Sequence, residues 1–259
     1  EVMAQIKKDI EASEKAYGDN YKFASGRNYW SLAATKMLKG EAYLWSGKQM
    51  GGGNADFQTA KAAYEDVKKA DVALQNDFTK VFAFNNKKNK EIIYAVYNGK
   101  DEKTLWNDRF RLTLVMGSMF FKNYYEADGT TLAESAMGNM DGVMSVSLNK
   151  DMWKELYRDG DTRKAGSLKD IYAKNEDGSL KYVGNIQYKF QGTLPQGYNL
   201  RQWLDDYPIY RYADCLLGLA EAKALLGEDP AAEINEVRKR AYGEEYFNAH
   251  QAEVAYPND

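Results

Sequence analysis

The sequence is poor in the residues that most often carry chemistry, with a single cysteine, Cys215, and a single histidine, His250. One cysteine excludes an internal disulfide and leaves the redox compartment open. One histidine excludes the usual His pair of a zinc site and makes any His-based triad depend on His250, close to the end of the chain. There is no G-x-S-x-G elbow and no phosphate loop ending in Gly-Lys-Ser/Thr. No run approaches the roughly 18 apolar residues of a membrane-spanning helix. A net charge of −3 gives no basic face for reading nucleic-acid phosphates. Proline is scarce, at 4 residues, whereas aromatics reach 14 % with 20 Tyr and 5 Trp. The rest is the balance of a globular protein, 44 % hydrophobic and 28 % charged over 259 residues, enough for one large or two modest domains.

Periodicity orders the chain. "EVMAQIKKDI" opens an amphipathic helix over 1–16 and has no signal-peptide pattern. Beginning without Met and inside a helix, the chain reads as a processed or trimmed product. A turn-rich break at 17–26 precedes a second helix from about Asn28 to Trp45. The glycine-rich 46–56 then leads to a third, with Phe57, Ala60, Tyr64 and Val67 on one face and Asp56 expected as N-cap. Gly40-x-x-Tyr43 and Ala60-x-x-x-Tyr64 share features with a tetratricopeptide hairpin. "EIIYAVYN" (91–98) reads as a strand or extended segment. Residues 99–147 show no clear period, 148–164 a short helix, and 171–190 a hairpin about Asp177-Gly178. Helices are expected at about 207–226 and 231–242, with Gly227 at C′ and Pro230 at N1.

"YRYADCLLGLAEAKALLG" (210–227) tests for a reactive thiol. Ile209, Tyr212, Ala213, Leu216, Leu217, Ala220 and Ala224 form an apolar stripe beside Cys215. No histidine is near in sequence, so Cys215 reads as a packed hydrophobe, with Arg211, Asp214 and Glu221 anchoring neighbouring elements. Asp159-Gly160-Asp161 hints at a calcium loop, but Arg163 stands where an oxygen ligand is needed. A turn with an internal Asp–Arg contact is expected instead. Gly51-Gly52-Gly53 lacks a preceding strand and a following Lys-Ser/Thr, and reads as a connector. Carboxylates are plentiful, yet none is singled out as a glycosidase pair.

The aromatics point elsewhere. Trp and Tyr rings stack on the apolar faces of sugars, while Asn, Asp and Arg take the hydroxyls. "TLWNDRF" (104–110), "NYYEADG" (123–129) and Tyr198, Asn199, Arg201 and Trp203 combine these types on expected loops; the alternative is local core. Trp106, Asn107, Arg109, Tyr124, Tyr125 and Trp203 are the ligand-facing expectations. Trp106 or Tyr124 would stack on a ring, and Asn107 and Arg109 would bond its hydroxyls. No catalytic residue, metal or cofactor is expected.

Three ordered stretches, Arg211-Tyr212-Ala213-Asp214-Cys215-Leu216-Leu217, Ala220-Glu221-Ala222 and Ile234-Asn235-Glu236-Val237-Arg238-Lys239-Arg240-Ala241, carry a family signature. With them, "IKKDIEASEKAYG", "ATKMLKGEAYLWSG" and "LNKDMWKELYRDGDTRK" make the chain resemble the SusD/RagB family of Bacteroidetes nutrient-binding lipoproteins. Cys215 and Gly218 stand where bulkier aliphatics are common, and Tyr242-Gly243 where Gly often follows directly. Members are usually about twice this length, with a lipidated N-terminal cysteine and a C-terminal Glu-Arg-rich helical segment not found in this sequence. The resemblance implies non-enzymatic capture of an oligosaccharide or polysaccharide at the outer-membrane surface and delivery to a TonB-dependent transporter. Membrane association would come only through the N-terminal lipid. It implies no ligand residue, because the family shares no ligand motif. Peptide capture, or a scaffold for protein partners alone, are the rival readings. The expected fold is mainly α: a tetratricopeptide-like helical scaffold with a loop-rich insertion containing short β elements. The expected regions are 1–90, 91–206 and 207–259, the middle one carrying the candidate ligand face.

Overall fold

The computed structural model describes residues 1–100, 123–133, 150–190, 192–199 and 201–258. In chain order the first described elements are α1 (Val2–Tyr17), α2 (Leu32–Gln49), α3 (Gly53–Val67), α4 (Phe78–Val81) and β1 (Ile92–Val96). The middle of the chain gives α5 (Lys150–Leu156), α6 (Arg163–Ser167), β2 (Leu168–Lys174) and β3 (Leu180–Gln187). Then come β4 (Tyr207–Arg211), α7 (Tyr212–Leu225), α8 (Ala231–Tyr242), α9 (Glu244–Ala249) and α10 (Gln251–Val254). The fold is mainly α, and its described strands form two antiparallel pairs, β1–β4 and β2–β3. No helix among the described residues is long and apolar enough to cross a membrane.

The chain divides into two units, one of residues 1–77, 88–96 and 207–259, the other of 78–87 and 97–206. The first is a helical scaffold. Ser31 caps α2, its hydroxyl accepting the Ala34 N–H at 3.2 Å, so the helix starts later than its apolar pattern suggests. Met37, Phe57, Tyr64, Val67, Leu216 and Leu219 share one core between α2, α3 and α7. Two glycines make that packing possible. A Cβ on Gly218 would lie 2.5 Å from Tyr64 Cζ, and one on Gly40 would also strike the Tyr64 ring. The absence of a side chain at 218 thus makes room for a tyrosine ring held between two helices. Asp56 is not the α3 N-cap, which is Gly52. It sits in the first turn and takes Lys7 Nζ at 2.9 Å and the Ser46 hydroxyl, tying α3 to α1 and α2.

Residues 207–211, expected as helix, are extended. They pair with β1 in the register Ile92↔Arg211 to Val96↔Tyr207, and ladder hydrogen bonds override the local apolar periodicity. Arg211 stays extended at φ −125 and ψ 160, and the Asp214 carboxylate accepts its N–H at 3.0 Å, which starts α7 one residue later. The helix ends as its sequence predicts. Gly227 has φ 76, its N–H donates to Ala224 O at 3.0 Å, and Glu228 N–H donates to Lys223 O at 2.9 Å. These are the two bonds of a Schellman end. Beyond α8, His250 is not tail: it joins α9 to α10 and stacks on Tyr246 with ring centroids 4.0 Å apart.

Glu91, fully buried just before β1, ties both signature segments together. It accepts from Arg240 Nη1 at 2.7 Å, Arg211 Nη1 at 3.3 Å and the Gln75 N–H at 2.8 Å.

The second unit holds the β2–β3 hairpin, turning through Asp177 and Gly178, where φ is 84. The expected Asp–Arg contact is present: Arg163 Nη2 meets Asp161 Oδ2 at 2.6 Å and Arg163 Nε meets Asp161 Oδ1 at 2.9 Å. Helix α6 lies close on α4, Gly166 leaving room for Phe78 and Thr79.

Candidate functional site

The thiol is not a site. Cys215 is fully buried, its Sγ donates to Tyr64 O at 3.4 Å, and burial pushes the thiol up to about 12, away from a nucleophilic thiolate. Arg211 bonds Glu91 and Asp214, and Glu221 meets Lys48 at 2.5 Å, so the charged members of this stretch anchor neighbours as expected.

Two of the concavities among the described residues combine carboxylates with aromatic rings. A groove of about 510 Å³ on the scaffold is lined by Glu41, Trp45, Tyr210, Asp214, Leu217 and Glu221. Its carboxylates are already engaged: Glu41 accepts from Tyr210 OH at 2.9 Å, Glu221 holds Lys48, and Asp214 holds Arg211. Little polar capacity remains for a ligand.

The second, within the other unit, is a cleft of about 270 Å³. One wall is aromatic. Phe82 packs edge-on against Phe78 at 5.4 Å and against Phe190 at 5.0 Å, with Lys189 Nζ 4.0 Å over its face. Phe84 lines the same cleft and is 37 % exposed. Thr79, Asn85 and Thr193 supply polar groups. Phe190 holds φ 58, a left-handed conformation strained for a bulky side chain. Gly192 follows with φ 68, where a Cβ would lie 2.7 Å from Gln202 O and 2.8 Å from the Trp203 ring. Only glycine lets the backbone pass so close.

Asp205 lines this cleft at 2 % exposure, and its Oδ2 has no hydrogen-bond partner among the described residues. Its position is fixed from behind. Asn98, fully buried, donates from Nδ2 to Asp205 O at 2.7 Å and from its backbone N–H to Asp206 Oδ1 at 3.1 Å. Lys87 Nζ meets Asp206 at 2.8 Å and Asn98 O at 2.5 Å, closing the network. Burial pushes the Asp205 carboxyl up to about 6, against the Gly192 N–H and the charge of Lys87, which favour the ionised form. At neutral pH this is a buried carboxylate with an acceptor to spare.

The expected ligand residues fall in different places. Trp106, Asn107 and Arg109 lie outside the described residues. Tyr124 and Tyr125 are half-buried: Tyr124 O accepts the Ala133 N–H at 3.0 Å, and Tyr125 exchanges backbone hydrogen bonds with Tyr172 at 2.8 and 2.9 Å. Trp203 is 5 % exposed and packs behind Gly192, its Nε1 without a partner among the described residues. None of these three lines the cleft. Sequence reasoning did not single out Phe82, Phe84, Phe190 or Asp205, which line this cleft. The one available signal was the pair Asp205-Asp206 set between apolar Leu204 and Tyr207.

The SusD family model matches residues 10–253. The chain belongs to the SusD family. Among solved structures it is similar to SusD-superfamily proteins along its whole length. NanU of B. fragilis is 54 % identical with a TM-score of 0.95, over 100 % of this chain and 53 % of that one. A SusD superfamily protein from Bacteroides vulgatus is 52 % identical with a TM-score of 0.95, over 100 % of this chain and 54 % of that one. Surface glycan-binding protein A from Bacteroides thetaiotaomicron, in complex with laminarihexaose, shares the SusD fold at 18 % identity and a TM-score of 0.59, over 91 % of this chain and 53 % of that one. This chain therefore spans about half the length of the SusD relatives it matches. No curated protein matches it.

Proposed function

We propose that the chain is part of a cell-surface protein that captures a glycan without cleaving it and passes it to a TonB-dependent outer-membrane transporter. One observation carries the reading: the cleft joins an exposed aromatic ring, Phe84, to a buried carboxylate, Asp205, that retains an unused acceptor. A sugar ring has that pair of needs, an apolar C–H face and hydroxyl donors at its rim. Membership of the SusD family supports the reading, and surface location, a lipid anchor and the transporter partner follow from the family resemblance. Glycoside hydrolysis uses two carboxylates flanking the bond, and Asp205 is the one carboxylate among the described lining residues.

The test is migration of the purified protein through native gels cast with plant, fungal and host polysaccharides, beside the Phe84→Ala variant. Retardation by one class, reduced in the variant by about 5- to 150-fold in affinity, is the expected result for a stacking residue worth about 1–3 kcal/mol. Free migration through every gel by folded protein would count against glycan capture and turn the search to peptides. New reducing ends released from a polysaccharide would show an enzyme instead.

A further inference from the structure

We propose that Asp205 is the selecting group of the cleft, and that the occupant is a single sugar ring whose hydroxyl or amide N–H donates a hydrogen bond to Asp205 Oδ2. The inference deepens the glycan reading and rests on it. An ionised oxygen held inside a protein without a donor is unfavourable, and a donor brought by the occupant relieves that cost. The main chain that carries this carboxylate is held in place. Asn98 clamps its main chain at 2.7 Å, Asn98 and Lys87 hold the adjoining Asp206, and Asp205 itself is 2 % exposed. The hydrogen bond formed is charge-assisted and therefore stronger than a neutral one.

Size sets the number of rings. At about 270 Å³ the cleft lies just below the roughly 300–1,000 Å³ of small-molecule sites, which leaves room for one ring and not for a chain. Phe84 offers that ring an apolar face, and Asn85 and Thr193 are polar residues on the same lining. Longer glycans would be held by an end or a branch, with the remaining sugars outside the cleft.

The charged groups facing the Asp205 carboxyl are Lys87, which favours its ionised form, and Asp206, which opposes it; Lys189 stands on the cleft wall. Lowering the pH protonates Asp205 and removes the charge-assisted acceptor, so capture weakens in acid.

The experiment is isothermal titration calorimetry of the wild type and Asp205→Asn at pH 7.5 and pH 5. The probes are glucose, galactose, mannose and their N-acetylated 2-amino forms, with hexasaccharides of each. The expected result is one monosaccharide binding as tightly as its hexasaccharide, with affinity falling at least about tenfold in the Asn variant, the scale of a lost hydrogen bond to a charged group. Wild-type affinity also drops at pH 5, while the variant shows no drop. Should the variant not fold, the wild-type pH dependence and the monosaccharide-to-hexasaccharide comparison still decide the matter. Equal binding by wild type and variant, or no pH dependence, overturns the role of Asp205 and leaves glycan capture standing. Affinity that climbs with every added sugar overturns the single ring. No binding to any probe by protein that a polysaccharide gel retards overturns the single-ring role of Asp205 and leaves glycan capture standing; no binding in either experiment overturns glycan capture itself.

Discussion

Glu91 and Arg240 meet at 2.7 Å although 149 positions separate them in the chain, and both are buried. Arg211 shares the same carboxylate, so two of the signature arginines converge on one acid. Glu91→Ala leaves two guanidinium groups facing a lost partner. The expected cost is about 3–5 kcal/mol, the range for breaking a buried ion pair by removing one side. Urea unfolding of the variant checks it, and a loss below about 1 kcal/mol would show that water or other groups replace the carboxylate readily.

Gly218→Ala forces a methyl group 2.5 Å from Tyr64 Cζ. The ring is held between α2 and α7 and cannot retreat towards Gly40. Overpacking of this kind costs about 1–3 kcal/mol. A double-mutant cycle with Tyr64→Leu, read by thermal melting, should show positive coupling, because the smaller side chain makes room for the methyl.

Cys215 should resist alkylation in the folded protein. Burial holds the thiol at about 12, so thiolate is scarce at pH 8. Mass spectrometry after iodoacetamide treatment should find it unmodified in buffer and modified in urea. Rapid labelling without denaturant would mean that α7 opens locally.

Asp205 makes stability depend on pH in the sense opposite to an ion-paired carboxylate. Its folded-state value, about 6, stands above the ordinary 3.8, so between those values the native state binds more protons than the unfolded one. Its contribution is complete below pH 4, declines as the pH rises through 6, and amounts to about 3 kcal/mol. Asp205→Asn should therefore be more stable than wild type at pH 7 and lose this slope. Chemical denaturation at pH 4, 5, 6 and 7 measures it.

The scaffold was legible where local rules decide structure. The stripe through Tyr212, Leu216 and Ala220 follows helical spacing, Gly227 takes the left-handed end of α7, and Asp161 finds Arg163 two residues away. What depended on distant partners was not legible. Tyr207–Arg211 becomes strand only because β1 lies alongside it. Asp56 leaves the cap position for Lys7 and Ser46. The cleft is the extreme case. Phe82 and Phe84 come from one excursion of the chain, Phe190 and Asp205 from another, and no spacing rule joins residues over a hundred positions apart. Composition names residue types, and packing decides which of them meet.

The ladder between β1 and β4 has a consequence for how such a chain can diversify. Val96 and Tyr207 are Cα partners at its end, a few ångströms apart, while all of 97–206 is strung between them. The scaffold thus closes its backbone hydrogen bonds whatever the intervening sequence does, and insertions or wholesale replacement there need not disturb the register of the strands. The segment can be exchanged like an interchangeable cartridge, the short 78–87 excursion adapting with it, while the helical frame is inherited unchanged. A two-residue turn from Val96 to Tyr207 would be the shortest such cartridge.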